Sequence, residues 1–394
     1  MTAETDGRPR ERLPVRPELR GGVPYGAPQL DVPVRLNTNE NTHQVPAGVA
    51  RAVVDAVAAV AGELNRYPDR EFTALRADLA GYLGHGLDAG QIWAGNGSNE
   101  VMQHVLQAFG GPGRSAMSFA PTYAMYPLYC RGTGTAWTDG LRAAPAGARD
   151  PFTLTPAAAA AQVRAARPDV VFLASPNNPT GTALGLEIVE AVYEATDGVV
   201  VVDEAYAEFA RAGTPSALTL LPGRERLAVS RTMSKAFAFA GVRLGYLAAD
   251  PEFCHALRLV RLPYHLSTLT QAAARGALAH ASDLLATVAS IKDQRDRLVT
   301  ALAALGAAPV PSDANFVLFG GLRDEKAAWR ALLDRGVLVR DVGLPGHLRV
   351  TAGTPQETSA FLAAAAEVLP PLLDRPRSSV IKELGGIKDS EGDR

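Results

Sequence analysis

Hydrophobic residues along the chain form two alternating patterns. Short continuous runs of strand length occur at 169–174, 198–202 and 227–230, and Val, Leu and Ala dominate them. Stretches such as 47–64 and 186–196 instead place apolar residues three or four positions apart, as on one face of a helix. Continuous apolar runs are typical of strands that are buried on both faces. The alternation therefore predicts an α/β fold, in which a large domain has a mainly parallel central sheet flanked by helices.

A smaller α+β domain is predicted after about residue 263, where this alternation ends. A helical stretch rich in Ala and Leu runs from there to about residue 305. Strand candidates then follow at 315–319, 337–340 and 347–350. The change of pattern indicates that the second domain has its own sheet.

Composition shifts at both ends complete the expected organisation. Residues 1–20 are polar and rich in Arg and Pro, and residues 375–394 are charged, so we expect both segments to be disordered. Between them we expect an N-terminal arm with part of the small domain at 21–45, the large domain at 46–265 and the small domain at 266–374.

Composition and charge argue against several classes of protein. Of the 394 residues, 47% are hydrophobic and 20% are charged, which is ordinary for a globular enzyme. A net charge of -2 gives no basic field for nucleic acid, and the first 20 residues are too short for an added DNA-binding domain. These residues also lack the apolar core of a signal peptide, so we expect a cytoplasmic protein. The two cysteines, Cys130 and Cys254, argue against a disulfide framework or a thiolate zinc site.

Lys235 is the first candidate for chemistry, because lysine is rare in this chain. It is the only lysine among the first 291 residues, and uncharged residues such as Met233 and Phe237 surround it. A lysine that loses water in such a setting has a lowered pKa and can act as an amine nucleophile. The alternative is a lysine whose stem packs while its amine reaches water.

Asp203 follows the apolar run that ends at residue 202. Side chains at the carboxyl ends of parallel strands face the ligand crevice of such sheets. A buried carboxylate there needs a cationic partner, and the protonated ring nitrogen of pyridoxal phosphate is one. A Mg²⁺ ion held by Asp203 and Glu204 is the alternative, although the sequence contains no Gly-x-x-x-x-Gly-Lys-Ser/Thr loop that would bring a nucleotide with it.

Two loops and two arginines suggest where an anion would bind. The segment 95–100 (Gly-Asn-Gly-Ser-Asn-Glu) precedes a helical pattern, so it predicts either a nest of backbone N–H groups for a phosphate or a plain capped turn. Arg243 could reach the same phosphate. In the rigid turn at 175–181, Asn178 could face a ligand while Asn177 forms an Asx-turn. Arg340 and Arg349 flank a Gly-Leu-Pro-Gly turn and together suit a doubly charged anion, unless they are surface residues of a hairpin.

Three motifs, in this order and spacing, resemble a known family. They are Ser-Pro-Asn-Asn-Pro-Thr-Gly at 175–181, Val-Val-Asp-Glu-Ala-Tyr at 201–206 and Arg-Thr-Met-Ser-Lys-Ala-Phe at 231–237. The chain is similar in them to fold-type I, class II aminotransferases, and within these to the histidinol-phosphate aminotransferases. The resemblance implies pyridoxal 5′-phosphate as cofactor and a homodimer with shared active sites. It also implies amino transfer between L-histidinol phosphate and 2-oxoglutarate in histidine biosynthesis.

The resemblance also implies roles around the cofactor. Lys235 would be the Schiff-base lysine and proton carrier, and Asp203 would pair with the ring nitrogen. Tyr206 and Asn178 would hydrogen-bond the phenolic oxygen, and Tyr123 would stack on the ring. The residues implied to bind the cofactor phosphate are Ser98, Asn99, Thr232, Ser234 and Arg243, with Tyr67 reaching the phosphate in the other subunit.

For the substrate, the resemblance implies that Tyr25, Arg340 and Arg349 receive the phosphate of histidinol phosphate. Arg349 would also receive the carboxylate of glutamate, and Asn41 would border the substrate. The chain departs from the family at the next position, since Thr42 and His43 follow Asn41 where the family usually has proline. This departure keeps two alternatives open: an aromatic (phenylalanine) aminotransferase, and a related pyridoxal-phosphate enzyme of a specialised pathway.

Overall fold

The computed structural model of the chain describes residues 13–22, 24–142 and 151–374. The tail expected to be disordered, 375–394, and residues 1–12 of the expected lead-in lie outside this part. Residues 13–20 of the lead-in are described, and Pro17–Leu19 forms a short 3-10 helix there. The predicted domain boundaries remain predictions.

Strands and helices alternate through the first two thirds of the chain. The described strands are β1 (Val34–Arg35), β2 (Ile92–Asn96), β3 (Ser115–Ala120), β4 (Ala136–Leu141), β5 (Val170–Ala174), β6 (Val199–Asp203), β7 (Leu227–Thr232), β8 (Leu244–Ala249), β9 (Ala308–Pro309), β10 (Phe316–Gly320), β11 (Val337–Leu338), β12 (Arg340–Asp341) and β13 (Leu348–Thr351). The described helices are α1 (Ala47–Ala61), α2 (Thr73–Leu83), α3 (Ser98–Phe109), α4 (Tyr126–Thr133), α5 (Pro156–Ala166), α6 (Leu186–Tyr193), α7 (Pro251–Val260), α8 (Thr268–Leu278), α9 (Ala281–Ala304), α10 (Glu325–Asp334) and α11 (Pro355–Val368). In the described part of the chain, no helix has both the length and the apolar character needed to cross a bilayer.

The central sheet has the strand order β2-β8-β7-β6-β5-β3-β4 within the described residues. The strands β4, β3, β5, β6 and β7 run parallel to one another, and β5 and β6 are buried throughout, as their continuous apolar runs predicted. Only β8 runs antiparallel to both of its partners, β2 and β7. The link from β7 to β8 spans 233–243 and contains no crossover helix, so the chain turns back instead of starting another parallel strand.

The C-terminal part forms a second, antiparallel sheet of order β12-β13-β10-β9. The predicted strand at 337–340 is divided in two: β11 pairs in parallel with β1 of the N-terminal arm, whereas β12 pairs with β13. The predicted helical stretch to about residue 305 is also divided, into α8 and α9. These two helices separate because α8 packs against α1 and α2 beside the large sheet, while α9 packs against β9, β10 and α11.

Close contact between β8 and the start of α3 generates a stability prediction. Gly245 pairs with Gly95 across the β2–β8 ladder, and a Cβ atom on Gly245 would overlap the backbone of Gly97 and Ser98. Gly245→Ala should therefore lower the free energy of unfolding by about 1–3 kcal/mol, since the backbone must move to relieve the overlap. Denaturant-induced unfolding of the two proteins measures this difference.

Gly81→Ala is the matched control for this substitution. Gly81 lies exposed in α2, and nothing is within 4 Å of the Cβ atom that the change would add. Alanine should raise the unfolding free energy there by about 0.5–1 kcal/mol, because glycine loses more backbone entropy in a helix. Equal stability of Gly245→Ala and the unmodified protein would contradict the close packing of β8 on α3.

Candidate active site

A cavity of about 270 Å³ opens at the carboxyl ends of β5, β6 and β7. Its walls come from the central sheet, from the N-terminal arm and from the β12–β13 pair. Thirteen of the residues predicted from the sequence line it: Tyr25, Ser98, Asn99, Tyr123, Asn178, Asp203, Tyr206, Thr232, Ser234, Lys235, Arg243, Arg340 and Arg349. The structure thus brings together residues from all three motifs and from both arginine-bearing strands.

Lys235 lies in the loop that returns from β7 to β8. Its Nζ donates a hydrogen bond to the backbone oxygen of Thr38 in the N-terminal arm, at 3.1 Å. Burial, and then the positive charge of Arg349, lower the pKa of this amine to about 8. The amine is therefore much closer to being a neutral nucleophile at physiological pH than an ordinary lysine is.

Asp203 ends β6 with its side chain at the cavity, and its carboxylate is buried. The Tyr126 hydroxyl donates to Oδ2 at 2.9 Å, and the backbone N–H of Ala205 donates to Oδ1 at 3.3 Å. Burial raises the pKa of Asp203 to about 6 against the opposing effect of these hydrogen bonds. No ion pair formed among the described residues includes this carboxylate. A buried anion that forms no ion pair with the described residues fits the protonated ring nitrogen of pyridoxal phosphate.

Glu204, the next residue, does not share a ligand site with Asp203. Its carboxylate accepts hydrogen bonds from the Arg231 guanidinium and from the backbone N–H of Ala217. The two acidic side chains of the motif thus have separate partners. In the described part of the chain no group of three or more His, Cys, Asp or Glu residues could hold a metal ion.

The turn between β2 and α3 is shaped to hold an anion. Gly97 has φ of +82°, and a side chain there would collide with the Arg243 guanidinium. Glu100 fixes the turn, because its Oε2 accepts from the backbone and the side-chain nitrogen of Asn96 at 2.6 and 2.9 Å. The first N–H groups of α3 have no side-chain cap, and Ser98 stands at the cavity. These donors, together with the other predicted phosphate residues on the same wall, fit a phosphate group.

Tyr206, Asn178 and Tyr123 also line the cavity. The Tyr206 hydroxyl accepts from Asn39 Nδ2 at 3.0 Å, and Asn178 Oδ1 accepts from an Arg349 nitrogen at 2.5 Å. Asn177 is buried and does not form the expected Asx-turn, because its Oδ1 accepts from the Thr122 hydroxyl while its Nδ2 donates to Thr180 Oγ1. The amide nitrogen of Asn178 remains a donor that can serve a ligand oxygen in the cavity.

Arg340 and Arg349 face each other across the β12–β13 ladder. Arg349 is buried, donates to the backbone oxygen of Asn37 at 2.8 Å and lies 5.0 Å from the centre of the Phe316 ring. Burial, reinforced by Arg340, lowers the pKa of Arg349 to about 10. Arg340 lies 5.8 Å from the Tyr25 ring. Two guanidinium groups at one end of a cavity form a site for an anionic substrate.

Two of the predicted residues do not line this cavity. Asn41 donates to the backbone oxygen of Ala236 and to the Thr287 hydroxyl, and it lines a neighbouring cavity instead. Tyr67 is 79% exposed and stacks on Tyr264 with ring centres 4.4 Å apart. Their implied roles remain predictions.

Three residues of the site were not singled out from the sequence. Tyr126 donates to Asp203, Asn39 donates to Tyr206, and the backbone of Asn37 holds Arg349. All three lie in the short segments 36–41 and 121–126, where nothing in the sequence separates a residue that contacts the site from its neighbours.

Known proteins with similar sequences belong to the same family that the three motifs resemble. A family model described as aminotransferase class I and II matches residues 32–365. The histidinol-phosphate aminotransferase of Paenarthrobacter aurescens is 63% identical over 362 residues, which is 91% of this chain and 96% of that protein. The protein of the same name from Frankia casuarinae is 59% identical over 365 residues, covering 91% of this chain and 90% of its own length.

Solved structures show the same fold. The histidinol-phosphate aminotransferase of Sinorhizobium meliloti, in complex with pyridoxal-5′-phosphate, superposes with a TM-score of 0.73 at 26% identity, over 86% of this chain and 90% of that one. The aspartate aminotransferase of Thermus thermophilus, bound to maleate, gives 0.71 at 25% identity, over 84% and 91%. The predicted fold-type I architecture is confirmed, and the chain belongs to the class I and II aminotransferase family.

Proposed function

We propose that this protein is a pyridoxal 5′-phosphate-dependent aminotransferase that moves an amino group between L-histidinol phosphate and 2-oxoglutarate, in histidine biosynthesis. The observation that carries the proposal is the content of one cavity: an amine with a lowered pKa, a buried unpaired carboxylate and a pair of arginines. The relatives described above bear the name of this activity.

The described residues can hold the cofactor at three points. Lys235 would bind its aldehyde carbon, Asp203 would keep its ring nitrogen protonated, and the turn before Ser98 would receive its phosphate with help from Arg243. When bound, the cofactor supplies an electron sink for the electrons released at the substrate Cα. The anionic Asp203 thus matches the ring nitrogen of the cofactor in charge, and the cationic Arg243 matches its phosphate.

Lys235 is the proposed base for the proton on Cα of the amino substrate. Because its pKa is lowered to about 8, an appreciable fraction of the amine is neutral near pH 7 and can take that proton. Asp203 stays ionised above about pH 6 and therefore can hold a proton on a neighbouring nitrogen at the same pH. The two residues thus perform opposite tasks because their surroundings differ.

Arg340, Arg349 and Tyr25 are the proposed substrate clamp. The two guanidinium groups suit the phosphate of histidinol phosphate, and Arg349 alone suits a carboxylate of glutamate. Asn178 and the Asn37 backbone hold Arg349 in place at 2.5 and 2.8 Å, so its guanidinium is oriented before a ligand arrives.

We also propose that two copies of the chain share their active sites and work in the cytoplasm. Tyr67 and Leu262 are 79% and 76% exposed, and Tyr264, which stacks on Tyr67, is 39% exposed. Such a group of exposed apolar side chains suits an interface with another protein surface. A second subunit seated there would bring Tyr67 to the cofactor phosphate of its partner.

Replacing Lys235 by Ala should lower kcat by at least about 10⁴-fold and remove the visible absorbance of the bound cofactor, because both depend on this amine. Lys292→Ala is the control, since Lys292 donates to the backbone oxygen of Ala210 outside the cavity. Steady-state kinetics and an absorbance spectrum measure the two effects. Turnover by Lys235→Ala at the level of the unmodified protein would end the proposal.

The pH dependence of cofactor uptake follows from the two shifted pKa values. Lys235 must be neutral to attack an aldehyde, so it reacts above its pKa of about 8, and Asp203 must be ionised, so it acts above its pKa of about 6. The rate at which cofactor-free protein binds pyridoxal phosphate should therefore rise from about pH 6 and level off just above pH 8. A stopped-flow absorbance series tests this, and a rise that continues to the ordinary lysine pKa of 10.5 would contradict it.

Arg340→Leu should separate the proposed substrate from an aromatic one. With glutamate as donor, kcat/KM for imidazole acetol phosphate should fall about 10- to 100-fold, since a charge-assisted contact to phosphate is lost. Activity with phenylpyruvate should change little. Arg330→Leu, an exposed arginine in α10, is the control. Unchanged turnover of the phosphorylated substrate in Arg340→Leu would favour the aromatic aminotransferase instead.

A further inference from the structure

A buried cluster of charged groups lies behind the cavity wall, on the side away from the predicted cofactor. Its centre is Arg231, which precedes Thr232 on β7. The Arg231 guanidinium donates to Glu204 Oε2 at 2.9 and 2.7 Å and to Glu208 Oε1 at 3.1 Å. The side chains of Arg231, Glu204 and Glu208 are only 11%, 4% and 7% exposed.

Further hydrogen bonds hold Glu204 in the cluster. The Ser216 hydroxyl donates to Glu204 at 2.8 Å, and the Ala217 backbone N–H donates to it at 2.7 Å. Burial acts to lower the pKa of Arg231, but the carboxylates of Glu208 and Glu204 outweigh this effect and raise it. Breaking a buried ion pair by removing one partner leaves an uncompensated charge, which is costly.

The cluster touches both strands that carry the chemistry. Asp203 pairs with Ser230 in the β6–β7 ladder, so Glu204 and Arg231 are the next residues on the two strands. The Glu204 backbone N–H also donates to the Ser230 oxygen at 2.8 Å. The ion pair therefore locks the ends of β6 and β7 at the point where Asp203 and the Lys235 loop leave the sheet.

A second set of contacts joins the cluster to the chain segment that follows Lys235. The Tyr82 hydroxyl donates to Glu208 at 3.3 Å, and the Tyr82 ring packs edge-on against Phe237 with ring centres 5.1 Å apart. Phe237 is two residues beyond Lys235. The cluster thus braces the lysine loop from Arg231 before it and from Phe237 after it.

We propose that Arg231 is a positioning residue of the active site, whose charge offsets that of Glu204 so that Asp203 remains a carboxylate. The inference rests on the proposed function. Without Arg231, two buried carboxylates would stand behind Asp203 with no guanidinium between them. Their negative potential would favour the protonated form of every titratable group in the cavity.

The groups that act on Asp203 are known from the structure. Glu204 lies on its own chain segment and raises its pKa, while the Tyr126 hydroxyl donates to it and lowers its pKa. The other phenols that interact electrostatically with this carboxylate are those of Tyr123, Tyr129 and Tyr206. Of these groups, Glu204 is the one that forms an ion pair with Arg231.

The test compares Arg231→Gln, Glu204→Gln and the double variant in the cofactor-bound protein. Two quantities are measured: the pH midpoint of the visible absorbance of the cofactor, and the Kd for pyridoxal phosphate. Arg231→Gln should raise the midpoint by about one pH unit and weaken binding about tenfold, since one unit is a tenfold change. Glu204→Gln should lower the midpoint, and the double variant should return close to the unmodified protein.

Arg224→Gln is the matched control. Arg224 pairs with Glu190 at 2.8 Å just before the opposite end of β7, far along the strand from Lys235. This variant should leave the midpoint and the Kd unchanged. A role of Arg231 in packing alone would make the double variant as defective as Arg231→Gln, because the second change restores charge balance but no contact.

The proposal fails if Arg231→Gln retains the midpoint and Kd of the unmodified protein, or if Glu204→Gln does not rescue it. Should Arg231→Gln not fold, the shift in Glu204→Gln alone decides, and an unshifted or raised midpoint overturns the proposal. A failure of the proposed function is distinct: the unmodified protein would then show no cofactor absorbance that depends on Lys235.

Discussion

The buried carboxylate of Asp203 is the constraint that the rest of the site serves. It follows four valines of β6, and the described side chains give it one hydroxyl donor but no cation. A buried anion is unfavourable unless it is paired. Under the proposed function, the missing positive charge comes from the protonated ring of the bound cofactor. The central sheet, the Tyr126 hydroxyl and the Ala205 N–H all hold the carboxylate ready for that group.

The remaining charges are arranged around this anion. Arg349, Arg340, Lys235 and Arg243 are the cations along the cavity, and they come from the small sheet and from the lysine loop. A ligand that carries a positive nitrogen at one end and anionic groups elsewhere matches this order. Burial then adjusts reactivity in both directions, because it lowers the pKa of Lys235 and raises that of Asp203. The same loss of water thus makes the Lys235 amine a base, and it brings the pKa of Asp203 close to the pH at which the carboxylate would be protonated.

Much of this could be predicted from the sequence, where the signal is local. The continuous apolar runs predicted β5, β6 and β7, and the three motifs contain six of the thirteen predicted residues that line the cavity. Four strands of the central sheet, β2, β3, β4 and β8, were not predicted, and β4 is mostly exposed and polar, so it has no apolar pattern. Other features depend on residues far apart in the chain. The predicted strand is divided at residue 339 because its two halves pair with different strands. The contact of Asn39 with Tyr206 spans 167 residues, and that of Tyr126 with Asp203 spans 77. Contacts between residues so far apart do not change the local pattern of apolar and polar residues, so that pattern cannot predict them.

The placement of Arg340 and Arg349 on one antiparallel ladder has a mechanical consequence. Asp203 belongs to the large sheet and Lys235 to the loop after its strand β7, whereas both arginines belong to the small sheet. A substrate that is held at its reactive carbon by one sheet and at its anionic end by the other is a cross-link between them. Under the proposed function, occupancy of the site would tie the large and the small sheet together, and product release would require that tie to break.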